Sequence, residues 1–208
     1  MSLLEVSGLS KTYTTRFGGA KVEALKSVTF SVESGEYVAV MGESGSGKTT
    51  LVSLIPRFYD ATEGTVSVDG VNVKDYSQKE LRNKIGYVSQ KATLFTGTIE
   101  SNVAYGDNGQ KNASETDIKK ALDIAQASEF VDSLEDGSKA YVAQGGSNFS
   151  GGQKQRMSIA RAIARKPEIL IFDDSFSALD YKTDRVLREA LAKSCKDSTR
   201  IIVAQRIG

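Results

Sequence analysis

Apolar residues recur along this chain with two periods, and the changes between them outline the elements. Leu3 to Val6 alternates weakly and reads as a strand, and Val28-Thr29-Phe30-Ser31-Val32 alternates more clearly. Thr65-Val66-Ser67-Val68 alternates up to Asp69-Gly70, a hairpin turn signal, with Val71-Asn72-Val73 as the return strand. These segments predict an antiparallel sheet. Tyr37 to Met41 and Ile85 to Val88 are short apolar strands. Ile169 to Phe172 and Thr199 to Ala204 are continuous apolar runs, as in strands of a parallel sheet buried on both faces. From about Thr98 to Ala164 the spacing turns helical. Ser114 with Glu115 and Asp117 marks one helix start, and Ser128 to Val131 opens a short second helix. Lys154 to Arg165 forms a third helix, stopped by Pro167, and Asp184 to Lys193 reads as an amphipathic helix.

Between the strand at Tyr37 to Met41 and a helix from Thr49 to about Ile55 lies Gly42-Glu43-Ser44-Gly45-Ser46-Gly47-Lys48-Thr49-Thr50. Glycines let successive backbone N–H groups turn onto phosphate oxygens, because no side chain blocks the approach. Lys48 supplies a point charge for the β- and γ-oxygens, and Thr49 a hydroxyl for Mg²⁺. The helix N-terminus adds its dipole. A flexible Gly/Ser linker would need neither the flanking strand and helix nor the lysine. The loop therefore predicts a nucleoside triphosphate with Mg²⁺.

Composition narrows the rest. With 208 residues the chain is long enough for one domain with a subdomain. Its 27 basic and 26 acidic residues favour neither nucleic acid nor a membrane surface, and no basic stripe with interleaved aromatics occurs. Its single cysteine, Cys195, reads as a packing residue and fits a reducing compartment. No apolar stretch approaches the roughly 20 residues that cross a bilayer, and the opening residues do not read as a signal peptide. The absence of histidine excludes any imidazole mechanism by this chain alone.

Four further elements follow in order. Gln90 ends its strand. Ser150-Gly151-Gly152-Gln153 precedes a helix beginning near Lys154 and suits a second anion site. Asp173 closes the strand Ile169 to Phe172, where a carboxylate suits Mg²⁺. Ser177-Ala178-Leu179-Asp180 follows.

Together these residues resemble the nucleotide-binding domain of an ATP-binding cassette (ABC) transporter over nearly the whole chain. By that resemblance Gly42 to Thr49 is similar to the Walker A loop and Ile169 to Asp173 to the Walker B strand. Ser150 to Gln153 resembles the signature motif, Gln90 the Q-loop and Ser177 to Asp180 the D-loop. Tyr13 resembles the aromatic that stacks on adenine, with Phe17 close enough to take the same role.

The resemblance implies an α/β fold: a P-loop NTPase core of mostly parallel sheet with helices, an N-terminal antiparallel β subdomain, and an inserted α-helical subdomain. The core is expected at 1–90 and 157–208, and the insertion at about 91–156. It implies nucleotide contacts from Tyr13, Gly42, Ser44, Gly45, Ser46, Gly47, Lys48, Thr49, Thr50, Ser150, Gly151, Gly152, Gln153 and Asp180. Thr49, Gln90 and Asp173 are implied at the metal, and Gln90, Asp174 and Gln205 at the catalytic positions. Head-to-tail dimers, homomeric or heteromeric, sandwich ATP between one Walker A loop and the partner's signature loop. Transmembrane domains complete the transporter, which places the chain at the cytoplasmic face of the membrane.

Leu94 to Val103 looks like exporter-type cassettes, where this stretch faces the coupling helices of the membrane domain. Val142 to Gly146 is similar to the exporter cross-linking loop. Thr14 to Glu23 looks more like the lipoprotein-release and macrolide-export group. Cassettes of the family continue past the equivalent of Gly208 with further helices, so a longer native protein is expected. The fragment is then expected to be less stable than a full domain, its last strand lacking a covering helix.

Two positions depart from hydrolysing cassettes, where glutamate follows the Walker B aspartate and a switch histidine follows the last core strand. Here they are Asp174 and Gln205. One methylene less withdraws the carboxylate by roughly 1–1.5 Å, and misplacement on that scale costs on the order of 100-fold in rate. Glutamine donates a neutral hydrogen bond but carries no positive charge. The pair resembles the degenerate half of heterodimeric exporters. Two other readings remain: a soluble ABC-type ATPase not coupled to a membrane domain, and a non-catalytic ATP-binding module. A kinase or GTPase would lack the signature loop.

Overall fold

The computed structural model describes residues 2–14, 19–106 and 113–204. Alternating residues build two long N-terminal strands, β1 (Ser2–Thr14) and β2 (Lys21–Glu33). They pair antiparallel with β4 (Glu63–Val68) and β5 (Val71–Asn72) in the order β2-β1-β4-β5. The turn from β4 to β5 is Asp69-Gly70, with φ of 50° and 73°, the left-handed pair that a two-residue hairpin requires. β1 runs well past the Leu3–Val6 segment legible in sequence. Register shifts interrupt its pairing with β2, which breaks the alternation that sequence reading relies on.

A parallel sheet stands beside it in the order β3-β10-β9-β6. It contains β3 (Tyr37–Met41), β6 (Ile85–Val88), β9 (Ile169–Asp173) and β10 (Thr199–Ala204). Strand parity gives this sheet two cores. Ile85, Ile169, Ile171, Ile201 and Val203 face Leu51, Val52, Leu54 and Ile55 on and just after α1 (Lys48–Leu54). Val88, Leu170, Phe172 and Ile202 face the opposite core with Met157 and Leu187. Both cores need an apolar partner at every β9 position, which is why that run carries no alternation.

Helix α2 (Gln78–Asn83) leads into β6, and between β6 and β9 the chain is largely helical. It forms α3 (Ile99–Val103), α4 (Glu115–Ile124), α5 (Ser128–Asp132) and α6 (Gly151–Ala164). Ser114 accepts from the Asp117 N–H and caps α4. The stretch is not wholly helical. β7 (Gly97–Thr98) pairs with β8 (Tyr141–Val142), and single 3₁₀ turns cover 137–139 and 144–146.

Two helices begin earlier than their apolar faces indicate. α6 starts at Gly151 rather than near Lys154, because Ser150 and Gln153 form a reciprocal cap. The last helix, α7 (Tyr181–Ser194), starts three residues before Asp184, because the Asp180 carboxylate accepts from the Thr183 N–H at 3.0 Å. Cys195 is buried at the end of α7, as a packing residue should be. No helix among the described residues is long and apolar enough to cross a membrane. The α/β fold expected from the pattern is present: an antiparallel N-terminal sheet, a parallel core sheet and covering helices.

Candidate functional site

The C-terminal ends of β3, β9 and β6 meet at a cleft of about 340 Å³. It is lined by Ser44 to Thr50, by Gln90 and Asp174, and by Val22 to Ala24 of β2 with Val203. Open parallel sheets bind ligands at this end of their strands. A larger cleft of about 390 Å³ lies elsewhere, between α4 and the C-terminal end of α7 beside Cys195. It contains none of the motif residues, which gather at the first.

The glycine loop is shaped by its backbone. Gly47 caps α1 at φ 84°, and a Cβ there would lie 2.3 Å from the Ala24 carbonyl oxygen. A Cβ on Gly42 would lie 2.6 Å from Ser46 Oγ. Lys48 Nζ folds over the loop, donating to the carbonyls of Gly42 at 2.5 Å and Glu43 at 2.7 Å and to Ser46 Oγ at 3.3 Å. An ammonium held by carbonyls beside first-turn N–H groups is a cationic nest suited to an anion.

At the floor, Thr49 Oγ1 donates to Asp173 Oδ1 at 2.8 Å. Parity explains the meeting: Asp173 continues the Ile169 and Ile171 side of β9, the side on which α1 packs. Asp173 is 4 % exposed, and its second oxygen accepts from the Tyr87 phenol at 2.8 Å. Burial, then the Asp173 charge, pushes that phenol above the ordinary tyrosine range. Asp174, the residue just past β9, has a left-handed φ of 50°. Its carboxylate accepts from Gln90 Nε2 at 2.9 Å, its N–H donates to the Val203 carbonyl at 3.2 Å, and its own carbonyl accepts from Ser177 Oγ at 2.8 Å.

These contacts suit a triphosphate with Mg²⁺. Gly42 and Gly47 stand where a Cβ would collide, and Gly45 adds a third left-handed backbone position, so the loop presents backbone to the cleft. Among the described residues no cluster of three or more His, Cys, Asp or Glu side chains forms a metal cage. One carboxylate with one hydroxyl is the donor set that Mg²⁺ uses when phosphates complete its shell.

The structure thus brings Ser44 to Thr50, Gln90 and Asp174 to one cleft, with Gly42 and Asp173 directly beneath. Ser150 to Gln153 and Asp180 do not line it. Ser150 Oγ accepts from the Gln153 N–H at 3.2 Å, leaving Gly151 and Gly152 to present first-turn N–H groups. Both Asp180 oxygens are taken by Thr183, and these hydrogen bonds hold its carboxyl below the ordinary range. Tyr13 pairs across from Val22, a wall residue, and its ring lies edge-on to Tyr59 at 5.9 Å. Gln205 and Phe17 lie outside the described residues.

Sequence reading missed two residues. Tyr87 bonds Asp173, and the signal was available: a tyrosine two residues after Ile85, on the α1 side of its strand. Asn102, 2 % exposed, clamps the segment after Gln90. It exchanges hydrogen bonds with the Phe95 N–H and carbonyl, both at 2.8 Å, and receives Arg161 Nη2 at 2.9 Å.

Comparison with known proteins agrees with this geometry. The ABC transporter family matches residues 25–177. ABC transporter B family member 21 of Arabidopsis thaliana is 42 % identical over 204 residues, 98 % of this chain and 15 % of that protein. The ATP-dependent lipid A-core flippase of Chromohalobacter salexigens is 42 % identical over 92 % of this chain and 33 % of its own length. A bacterial Atm1-family ABC exporter solved with ATP bound superposes with a TM-score of 0.87 at 34 % identity, over 97 % of this chain and 34 % of that one. The chain therefore spans 15–34 % of the length of these relatives. By family match, sequence identity and fold, the chain belongs to the ABC transporter family, as an ATP-binding domain.

Proposed function

We propose that this domain binds Mg-ATP in the cleft above Thr49 and pairs head-to-tail with a second cassette to drive an exporter, hydrolysing ATP slowly by itself. The observation that carries the reading is the 2.8 Å bond between Thr49 and Asp173 beneath a glycine loop gathered around Lys48. Loop N–H groups and Lys48 would hold the phosphates, with Tyr13 beside the adenine. Thr49, Asp173 and Gln90 would hold Mg²⁺. Bound Mg²⁺ neutralises charge on the β- and γ-oxygens. Asp174 and Gln205 take the positions that orient water and contact the γ-phosphate.

Ser150 to Gln153 and Asp180 lie outside the cleft of their own chain, which favours their serving a partner's nucleotide. In this reading residues 1–90 and 157–208 form the core and about 91–156 the helical subdomain. The partner cassette is a homo- or heterodimer mate, membrane domains receive the motion through the segment near Phe95, and the assembly sits at the cytoplasmic face of the membrane.

The test is equilibrium titration with a fluorescent ATP analogue, with light scattering for ATP-dependent dimers. Lys48→Ala removes the charge on the β- and γ-oxygens and is expected to abolish binding; unchanged affinity contradicts the assignment. Steady-state turnover of the isolated chain is expected near background, and Asp174→Glu with Gln205→His is expected to raise it by on the order of 100-fold. Robust turnover by the unmodified chain would refute the slow-hydrolysis reading. A double variant that binds ATP and stays at background would leave ATP as structural glue.

A further inference from the structure

Asp173 is held by two hydroxyls, and only one belongs to a recognised motif. Thr49 Oγ1 donates to Oδ1 and Tyr87 Oη to Oδ2, each at 2.8 Å. Tyr87 pairs with Ile171 in β6–β9 register, so it shares the α1 side of the sheet with Ile171 and Asp173. Its ring packs edge-on against Phe58, with centroids 5.0 Å apart. The Phe58 N–H is tied to the Ser53 carbonyl at 3.0 Å. The phenol is therefore braced against the turn that leaves α1, the helix whose other end carries Thr49.

An aspartate carboxylate turns easily about its last torsion, which is broad and two-fold. Held at one oxygen it can rotate; held at both it presents a fixed edge. Removing a hydrogen-bond partner from a metal-facing group typically costs 10–100-fold in metal affinity.

We infer that Tyr87 is a positioning residue for the metal site: it fixes the Asp173 carboxylate and so sets the Mg²⁺ concentration at which this chain takes up ATP. This rests on the reading that Thr49 and Asp173 face the metal. Tyr87 touches neither nucleotide nor metal in this scheme and acts through Asp173 alone.

Tyr87→Phe keeps the ring on Phe58 and removes only the hydroxyl. Fluorescent ATP analogue is titrated at graded Mg²⁺ and again in EDTA, and Mn²⁺ bound with ATP is counted by electron paramagnetic resonance. The variant is expected to need about ten-fold more Mg²⁺ or Mn²⁺ for half-saturation, with metal-free nucleotide affinity unchanged. An unshifted metal midpoint, or an equal loss with and without metal, overturns the inference. Should Tyr87→Phe fail to fold, Phe58→Leu loosens the brace while keeping the hydroxyl. A smaller shift in the same direction is expected there, and none would overturn the role. A wild-type chain that binds no Mg-ATP would instead overturn the nucleotide reading itself.

Discussion

Gly47 and Gly45 separate two costs that substitution in a phosphate loop usually mixes. Both residues are left-handed, with φ of 84° and 83°. An alanine forced into that conformation costs roughly 1–2 kcal/mol. A Cβ at Gly45 meets nothing within 4 Å, so Gly45→Ala carries that cost alone. A Cβ at Gly47 would sit 2.3 Å from the Ala24 carbonyl and 3.0 Å from Leu25 Cδ2. Real Cβ contacts do not fall below 3.0 Å, so β2 must retreat by the difference, 3.0 − 2.3 = 0.7 Å.

Forced overpacking of this kind adds about 1–3 kcal/mol. For a domain of this size each kcal/mol lowers the melting temperature by roughly 2–4 °C. Gly45→Ala should therefore melt about 2–8 °C below wild type, and Gly47→Ala roughly 2–12 °C lower again. Melting followed by circular dichroism measures both. Ala24 also walls the cleft, so ATP affinity should fall further in Gly47→Ala than in Gly45→Ala. Equal melting temperatures for the two variants would refute the close-approach reasoning and leave backbone conformation as the whole effect.

Asn102→Ala strips partners from the half-buried Phe95 N–H and carbonyl and from Arg161, and should cost about 1–3 kcal/mol in urea denaturation. A shift under about 0.5 kcal/mol would show that water or neighbours replace the amide. Asp117 is held at about 2, below its ordinary 3.8, first by Lys166 and then by its capping partner Ser114. A depressed carboxyl stabilises the fold above its unfolded pKa and loses that contribution as pH falls through the folded one. Asp117→Asn should thus melt below wild type near neutral pH. The gap should close from about pH 4 towards pH 2, and a gap constant across that range would exclude the linkage.

How much of this could be read from the chain depended on whether the signal was local. The glycine loop, the Asp69-Gly70 turn and the Ser114 cap each rest on backbone conformation within a few residues, and each forms as the pattern predicts. β9 was legible because two cores leave no polar position in it. The full length of β1 was not, since register shifts with β2 scramble alternation after Val6. The early starts of α6 and α7 were missed for a related reason: Ser150 and Asp180 cap helices whose first turns carry no apolar residue facing the core. Glycines at 151 and 152 also read as a loop until Gln153 closes the cap. Tyr87 is a different failure. Its partner lies 86 residues away, and only the order β9-β6 brings the two together.

Strand order also bears on Asp174. Its backbone is held from two directions, by the Val203 carbonyl of β10 and by Ser177 in the following turn, and its φ is already left-handed. A backbone fixed this way cannot slide forward to recover a missing methylene, so the carboxylate stays roughly 1–1.5 Å short of where a glutamate would reach. Gln90 meets the carboxylate at that shorter reach, at 2.9 Å. The shortening is therefore absorbed by the Gln90 contact rather than relieved by the strand. That is why Asp174→Glu should lengthen the side chain into the cleft without disturbing Asp173, whose oxygens are held by Thr49 and Tyr87 rather than by Gln90. The two adjacent carboxylates thus have separate partners: Thr49 and Tyr87 hold Asp173, and Gln90 meets Asp174.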